Sequence, residues 1–166
     1  LCRGVDMRVL AIRRTATSRE KDTQGVDEIL PSSDLAYLLE QSDFVVLSLP
    51  LTPETRELIG ERELRTMKST AFLVNISRGE VIDEPVLKRA LREGWIAGAA
   101  LDVFWNEPLE PESELWDMPN VVMTPHRSGG ISASRESPGE DAFTENLERF
   151  LTGRPLLNQV DPTLGY

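Results

Sequence analysis

The sequence predicts an α/β protein built on a parallel sheet with helices on both sides, and three observations carry that reading. Short apolar runs recur along the chain and alternate with segments of helical spacing. The middle runs are continuously apolar, the pattern of strands buried on both faces of a parallel sheet. One intervening segment also carries a full set of helix signals: Asp83 as N-cap, Pro85 in the first turn and Gly94 just past the end.

Taken in order, the strand candidates are Met7–Ile12, Phe44–Leu49, Ala71–Asn75, Ile96–Leu101 and Val121–Thr124. Between them, Asp34–Gln41 places Leu35, Leu38 and Leu39 on one helical stripe, and Glu61–Met67 reads as a short polar helix. In the capped helix after Asp83, Leu87, Ala90 and Leu91 form the apolar face. A last helix, Glu140–Leu151, presents Phe143, Leu147, Phe150 and Leu151 and stops at Gly153; the tail from Arg154 to Tyr166 reads as an irregular docking segment. A hinge is expected only near Gly129 to Gly139.

Composition bounds the function. The chain has 166 residues, 40% hydrophobic and 28% charged, enough for one domain with a core of its own. A net charge of -10, spread along the chain, argues against a nucleic-acid partner. A single cysteine, Cys2, excludes an internal disulfide and a cysteine-rich metal site, and fits a reducing cytoplasm. No apolar run is long enough to span a membrane, and no metal is implied.

Ligands of open parallel sheets bind outside the carboxyl ends of the strands. In this sequence those ends deliver Arg13 and Arg14; Ser48 and Pro50; Asn75, Ser77 and Arg78; Asp102 with Glu107 in the next loop; and His126, the one histidine. Singly, each has an ordinary structural reading: a packing histidine, a solvated arginine in a turn, a capping aspartate. Together they bring an acid, a base and a cation to one edge.

Four blocks then make the chain recognisable. Asn75-Ile76-Ser77-Arg78-Gly79-Glu80-Val81-Ile82-Asp83, preceded by Met67-Lys68, resembles the signature of the D-isomer-specific 2-hydroxyacid dehydrogenases. Ser42-Asp43-Phe44 through Pro50, Thr55 and Gly60 is similar to a second signature of that family. Ala99 to Phe104 with Glu107-Pro108, and Asn120 to His126 with Gly129, resemble two more, all in family order.

The resemblance implies a Rossmann-like, doubly wound sheet that hydride-transfer enzymes use to hold NAD or NADP. It implies that Arg78 anchors the substrate's carboxylate and carbonyl, a task suited to a guanidinium fork. His126 would be the general acid/base and Glu107 its partner, a carboxylate that favours the imidazolium needed for reduction. Asp102 would orient the nicotinamide amide. The cofactor set is completed by Arg13, Arg14, Ser48, Leu49, Pro50, Thr55, Ile76, Ser77 and Gly129. Arg13 and Arg14 stand where an acid would select NAD, so NADP is favoured. Ser48 departs mildly from the family, which more often has His or Asn there.

Leu1 opens the chain in place of Met, and Met7–Ile12 looks like the second strand of the fold. The expectation is therefore an incomplete domain, residues 1–134, lacking its first strand and glycine loop. Residues 135–166 would pack back towards a missing substrate domain. Such a piece should bind cofactor poorly and not turn over alone, while the complete protein forms a homodimer and acts on a small 2-keto or 2-hydroxy acid. Three other readings share the motifs: a cofactor-sensing, corepressor-like binding module, a gene remnant without function, and a relative that oxidises formate or phosphite.

Overall fold

The computed structural model describes residues 2–23, 25–127 and 138–160. After a short 3-10 turn at Cys2–Val5, three strands form one sheet: β1 (Leu10–Ile12), β2 (Glu20–Thr23) and β3 (Val26–Leu30), in the order β1-β3-β2. β1 and β3 run parallel, and β2 returns antiparallel on the outside of β3. Helix α1 (Leu35–Gln41) leads to a second sheet of four parallel strands, β4 (Phe44–Leu47), β5 (Phe72–Asn75), β6 (Gly98–Leu101) and β7 (Val121–Met123), ordered as in the sequence. Helices α2 (Glu61–Thr66) and α3 (Glu84–Glu93) connect its strands, and α4 (Pro138–Leu151) follows β7.

The predicted helix signals operate as expected. Asp83 accepts a hydrogen bond from the Val86 amide at 3.2 Å, and Gly94 ends α3 with φ 68°, a left-handed conformation that glycine adopts without strain. Leu87, Ala90 and Leu91 are buried against Leu64 of α2, Leu39 of α1 and the strand residues Val45, Leu47, Leu73, Ala99 and Leu101. This core lies on one side of the four-stranded sheet.

Here the structure corrects the sequence reading. The strands were expected to be buried on both faces, yet burial alternates along β4 and β5. On the face away from the helices, Phe44 is 53% exposed, Val46 55%, Phe72 42% and Val122 67%. The reason is that α1, α2 and α3 all share one core, and among the described residues nothing covers the opposite face. Phe44 and Phe72 stack there with ring centroids 5.8 Å apart. The apolar stripe of α4 (Phe143, Leu147, Phe150 and Leu151) is exposed as well. The tail returns to its own helix through Asn146, whose side chain bonds both the amide and the carbonyl of Leu157.

The segment from Glu20 to Leu30, assigned to no element from sequence, holds β2 and β3. The expected hinge near Gly129 and the expected boundary at 134/135 lie outside the described residues.

The parallel register sets up the chemistry. Leu47, Asn75, Leu101 and Met123 are aligned across the four strands, so the residues that follow each of them emerge at one level. That rim receives Ser48, Ile76, Asp102 and Thr124.

Candidate active site

The rim is built from the β5 turn outwards. Asn75 is fully buried; its side-chain oxygen accepts from the Ser77 amide at 3.0 Å and the Ser77 hydroxyl at 2.8 Å, and its amide nitrogen donates to the Arg78 carbonyl at 2.8 Å. A buried carboxamide with its hydrogen bonds satisfied holds a turn in one shape. The turn presents an exposed Arg78, whose guanidinium donates to the Ser77 carbonyl at 2.7 Å. Ser48, Leu49, Pro50 and Leu51 from the β4 loop join Ile76, Ser77 and Arg78 to line a cleft of ≈ 400 Å³. Thr55 shapes that loop from within, donating to the Pro50 carbonyl and accepting from the Thr52 amide, each at 2.7 Å.

Beyond β6, Asp102 is buried and accepts at Oδ1 from the Thr124 hydroxyl and, at 2.9 Å, from the Arg127 amide. It thereby ties the β6 end to the segment that carries His126. His126 has φ 52°, with its amide donating to the Thr124 carbonyl at 3.0 Å. A non-glycine residue held in the left-handed region is uncommon and recurs at functional sites.

Glu107 meets this histidine. Its Oε2 lies 2.7 Å from His126 Nδ1, and its Oε1 accepts from the Phe104 amide at 3.0 Å. The hydrogen bond with His126, followed by the one from Phe104, holds the Glu107 carboxyl below its ordinary range, and the charges of His126 and Arg78 add to the effect. An ionised carboxylate on Nδ1 leaves Nε2 as the nitrogen that can exchange a proton with a ligand.

At the carboxyl end of β1 the arrangement is looser. Arg13 follows β1, its amide donating to the Leu30 carbonyl, and its guanidinium pairs with Glu20 of β2 at 2.7 Å. Glu54, in the loop after β4, titrates below its ordinary range, through a hydrogen bond from Thr52 first, then its own amide, with the Arg14 charge contributing.

The structure thus brings Arg78, Ser48, Leu49, Pro50, Ile76 and Ser77 to one cleft and joins Glu107 to His126 beside it. Glu107, His126 and Asp102 are not among the residues that line the cleft itself. Gly129 lies outside the described residues. Sequence reasoning missed the Phe104 amide, the Arg127 amide and Glu20. Backbone amides leave no trace in a sequence, and Glu20 becomes visible only once β2 is recognised.

The residues present suit a dinucleotide at both ends: a cleft that mixes Leu49, Pro50, Leu51 and Ile76 with Ser48, Ser77 and Arg78 at one, and Arg13 and Arg14 at the other. A Gly-x-Gly-x-x-Gly sequence does not occur in the 166 residues. Among the described residues no group of three or more His, Cys, Asp or Glu could hold a metal ion, and no helix is long and apolar enough to cross a membrane.

Comparison with known proteins names the class. The family profile described as "D-isomer specific 2-hydroxyacid dehydrogenase, NAD binding domain" matches residues 1–128, and the chain belongs to that family. It is 46% identical to a glyoxylate reductase of Thermococcus gammatolerans and 44% identical to one of Pyrococcus furiosus, in each case over 98% of this chain and 45% of the relative. The chain therefore spans less than half the length of those relatives.

Among solved structures, a D-isomer specific 2-hydroxyacid dehydrogenase from Xanthobacter autotrophicus in complex with NADPH and MES superimposes with TM-score 0.82. Its identity is 36%, covering 97% of this chain and 73% of that one. An NADPH-dependent glyoxylate/hydroxypyruvate reductase from Sinorhizobium meliloti, in complex with NADP and sulfate, gives TM-score 0.84 at 31% identity, covering 99% and 51%. No finding supports a corepressor-like module.

Proposed function

We propose that this chain is the dinucleotide-binding half of an NADP(H)-dependent reductase that converts a small 2-keto acid, glyoxylate or hydroxypyruvate, into the matching 2-hydroxy acid. The observation that carries the reading is the Glu107–His126 contact of 2.7 Å on the same rim as Arg78. It supplies a proton-transfer group and a carboxylate anchor side by side.

Bound dinucleotide supplies the hydride; the chain's own residues do the rest. Arg78 holds the substrate carboxylate by charge-assisted hydrogen bonds and sets the carbonyl in place. His126 donates a proton from Nε2 to the carbonyl oxygen as negative charge develops there. Glu107 fixes the orientation of the ring through Nδ1. Leu49, Pro50 and Ile76 would hold the nicotinamide ring, and Asp102 would orient its amide. Arg13 and Arg14 would hold the 2′-phosphate, with Glu20 beside Arg13 as a rival partner. A homodimer acting in the cytoplasm completes the proposal.

The test is an initial-rate assay of the polypeptide carrying this chain in its natural reading frame, with glyoxylate and either NADPH or NADH. One charge-assisted hydrogen bond contributes about 1.5–3 kcal/mol. NADPH should therefore give a kcat/KM about tenfold to a hundredfold above that of NADH. Equal values would overturn the cofactor assignment, and absence of reduction with both would overturn the substrate class.

A further inference from the structure

Gly79 lies against the backbone of the loop that carries Glu107. A Cβ placed on it would sit 2.2 Å from the Phe104 carbonyl carbon, 2.4 Å from the Phe104 oxygen and 2.5 Å from the Trp105 nitrogen. All three are backbone atoms, so no side-chain rotation could relieve the contact. The glycine's own φ is not in the left-handed region. What this position demands is close approach.

Both partners in the contact are anchored. On one side, Asn75 holds the Arg78 carbonyl and the Ile82 amide donates to the Gly79 carbonyl at 3.0 Å. On the other, the Trp105 indole N–H donates to the Ile82 carbonyl at 2.7 Å, pinning the loop to the same turn. The Phe104 amide then donates to Glu107 Oε1, while Oε2 meets His126 Nδ1. A continuous chain of contacts runs from Gly79 to the imidazole.

We infer that Gly79 is a positioning residue for the acid–base pair. Its missing side chain lets the Phe104 backbone rest on the Arg78 turn, where the Phe104 N–H fixes one oxygen of Glu107 and aims the other at His126 Nδ1. The same contact ties the substrate anchor to the proton donor, because Arg78 and Gly79 are adjacent. A methyl group at Gly79 would force the two backbones apart by about 1 Å, a displacement large enough to spoil a catalytic alignment. The inference rests on the proposed role of His126 for its meaning, but the contacts and their test do not require catalysis.

His126 is the only histidine, so its imidazole gives one pair of ¹⁵N resonances in this chain. In neutral imidazole, Glu107 should hold the proton on Nδ1, whereas a solvated ring favours Nε2. Spectra of the wild-type chain, Gly79→Ala and Glu107→Ala, taken where the ring is neutral, read this directly. The wild type should show the Nδ1–H tautomer. Gly79→Ala should shift towards the Nε2–H tautomer seen in Glu107→Ala, with the rest of the spectrum still that of a folded protein. A folded Gly79→Ala that keeps the wild-type tautomer overturns the inference.

Should Gly79→Ala fail to fold, the Phe104 amide resonance of the wild type and Glu107→Ala decides. A marked upfield shift on loss of the carboxylate supports the link, and an unmoved resonance overturns it. Neither readout uses cofactor or substrate. A protein inactive towards 2-keto acids could still show both, and an active one could show neither.

Discussion

At the scale of single residues, the site depends on where one carboxylate sits. Glu107 is partly exposed, yet two hydrogen bonds and two nearby cations act on it together. Its carboxyl titrates below the ordinary glutamate value of roughly 4.3, so its contribution to the folded state has a definite sign. That contribution is present above the ordinary value and is lost as pH falls through the depressed one, when the protonated group gives up its ion pair with His126. Urea midpoints of the wild type and Glu107→Gln should therefore differ at about pH 5, and the difference should shrink as pH falls through the depressed value. A difference that survived undiminished below that value would contradict the assigned contacts.

The catalytic candidates themselves were legible in the sequence. Arg78, Glu107 and His126 each follow a readable strand, and strand ends are where this architecture binds ligands. Their holding contacts were not legible. Asp102 was read as a nicotinamide-orienting residue, and the structure adds that it secures the His126 segment through Thr124 and the Arg127 amide. Such a contact joins residues 22 and 25 positions apart and depends on the strand register, which no local pattern reveals.

At the scale of elements, the strands with apolar runs and the helices with caps were readable, to within a few residues at their ends. β2 and β3 were not. β2 reads Glu-Lys-Asp-Thr, with no apolar residue to mark it, and it sits at the edge of its sheet, where a ladder on one side and charged side chains suffice. β3 mixes Asp27 and Glu28 with Val26, Ile29 and Leu30, so its period is obscured. Overlooking β2 also hid the Arg13–Glu20 pair.

Helix α3 shows the opposite case, where local chemistry and tertiary packing agree. Its cap hydrogen bond stands apart from the site, so Asp83→Ala should cost about 1 kcal/mol of stability, read as a lower urea midpoint. kcat for the natural polypeptide should be unchanged. A variant as stable as the wild type would show that the cap is replaced by solvent.

At the scale of the molecule, the described strands fall into two sheets, with β1 at the end of one and β4 at the end of the other. Each of these strands has a neighbour on one side only. The sheet face bearing Phe44, Val46, Phe72 and Val122, uncovered among the described residues, and the exposed stripe on α4 add apolar surface. These features accord with a chain that spans 45% of its glyoxylate reductase relatives. They also explain why the two-faced burial read from the strand sequences is only half realised here: the residues are apolar on both faces, but the described elements cover one.

The central claim is that His126, held by Glu107, moves the proton in 2-keto acid reduction. It is tested most directly by kcat for NADPH-dependent glyoxylate reduction in the natural polypeptide and in its His126→Asn variant. A positioned acid–base group contributes about 10²–10⁴-fold. The variant should lose activity on that scale while retaining its fold and its affinity for NADPH. A kcat within a few-fold of the wild type would show that the proton comes from elsewhere and that the pair is structural.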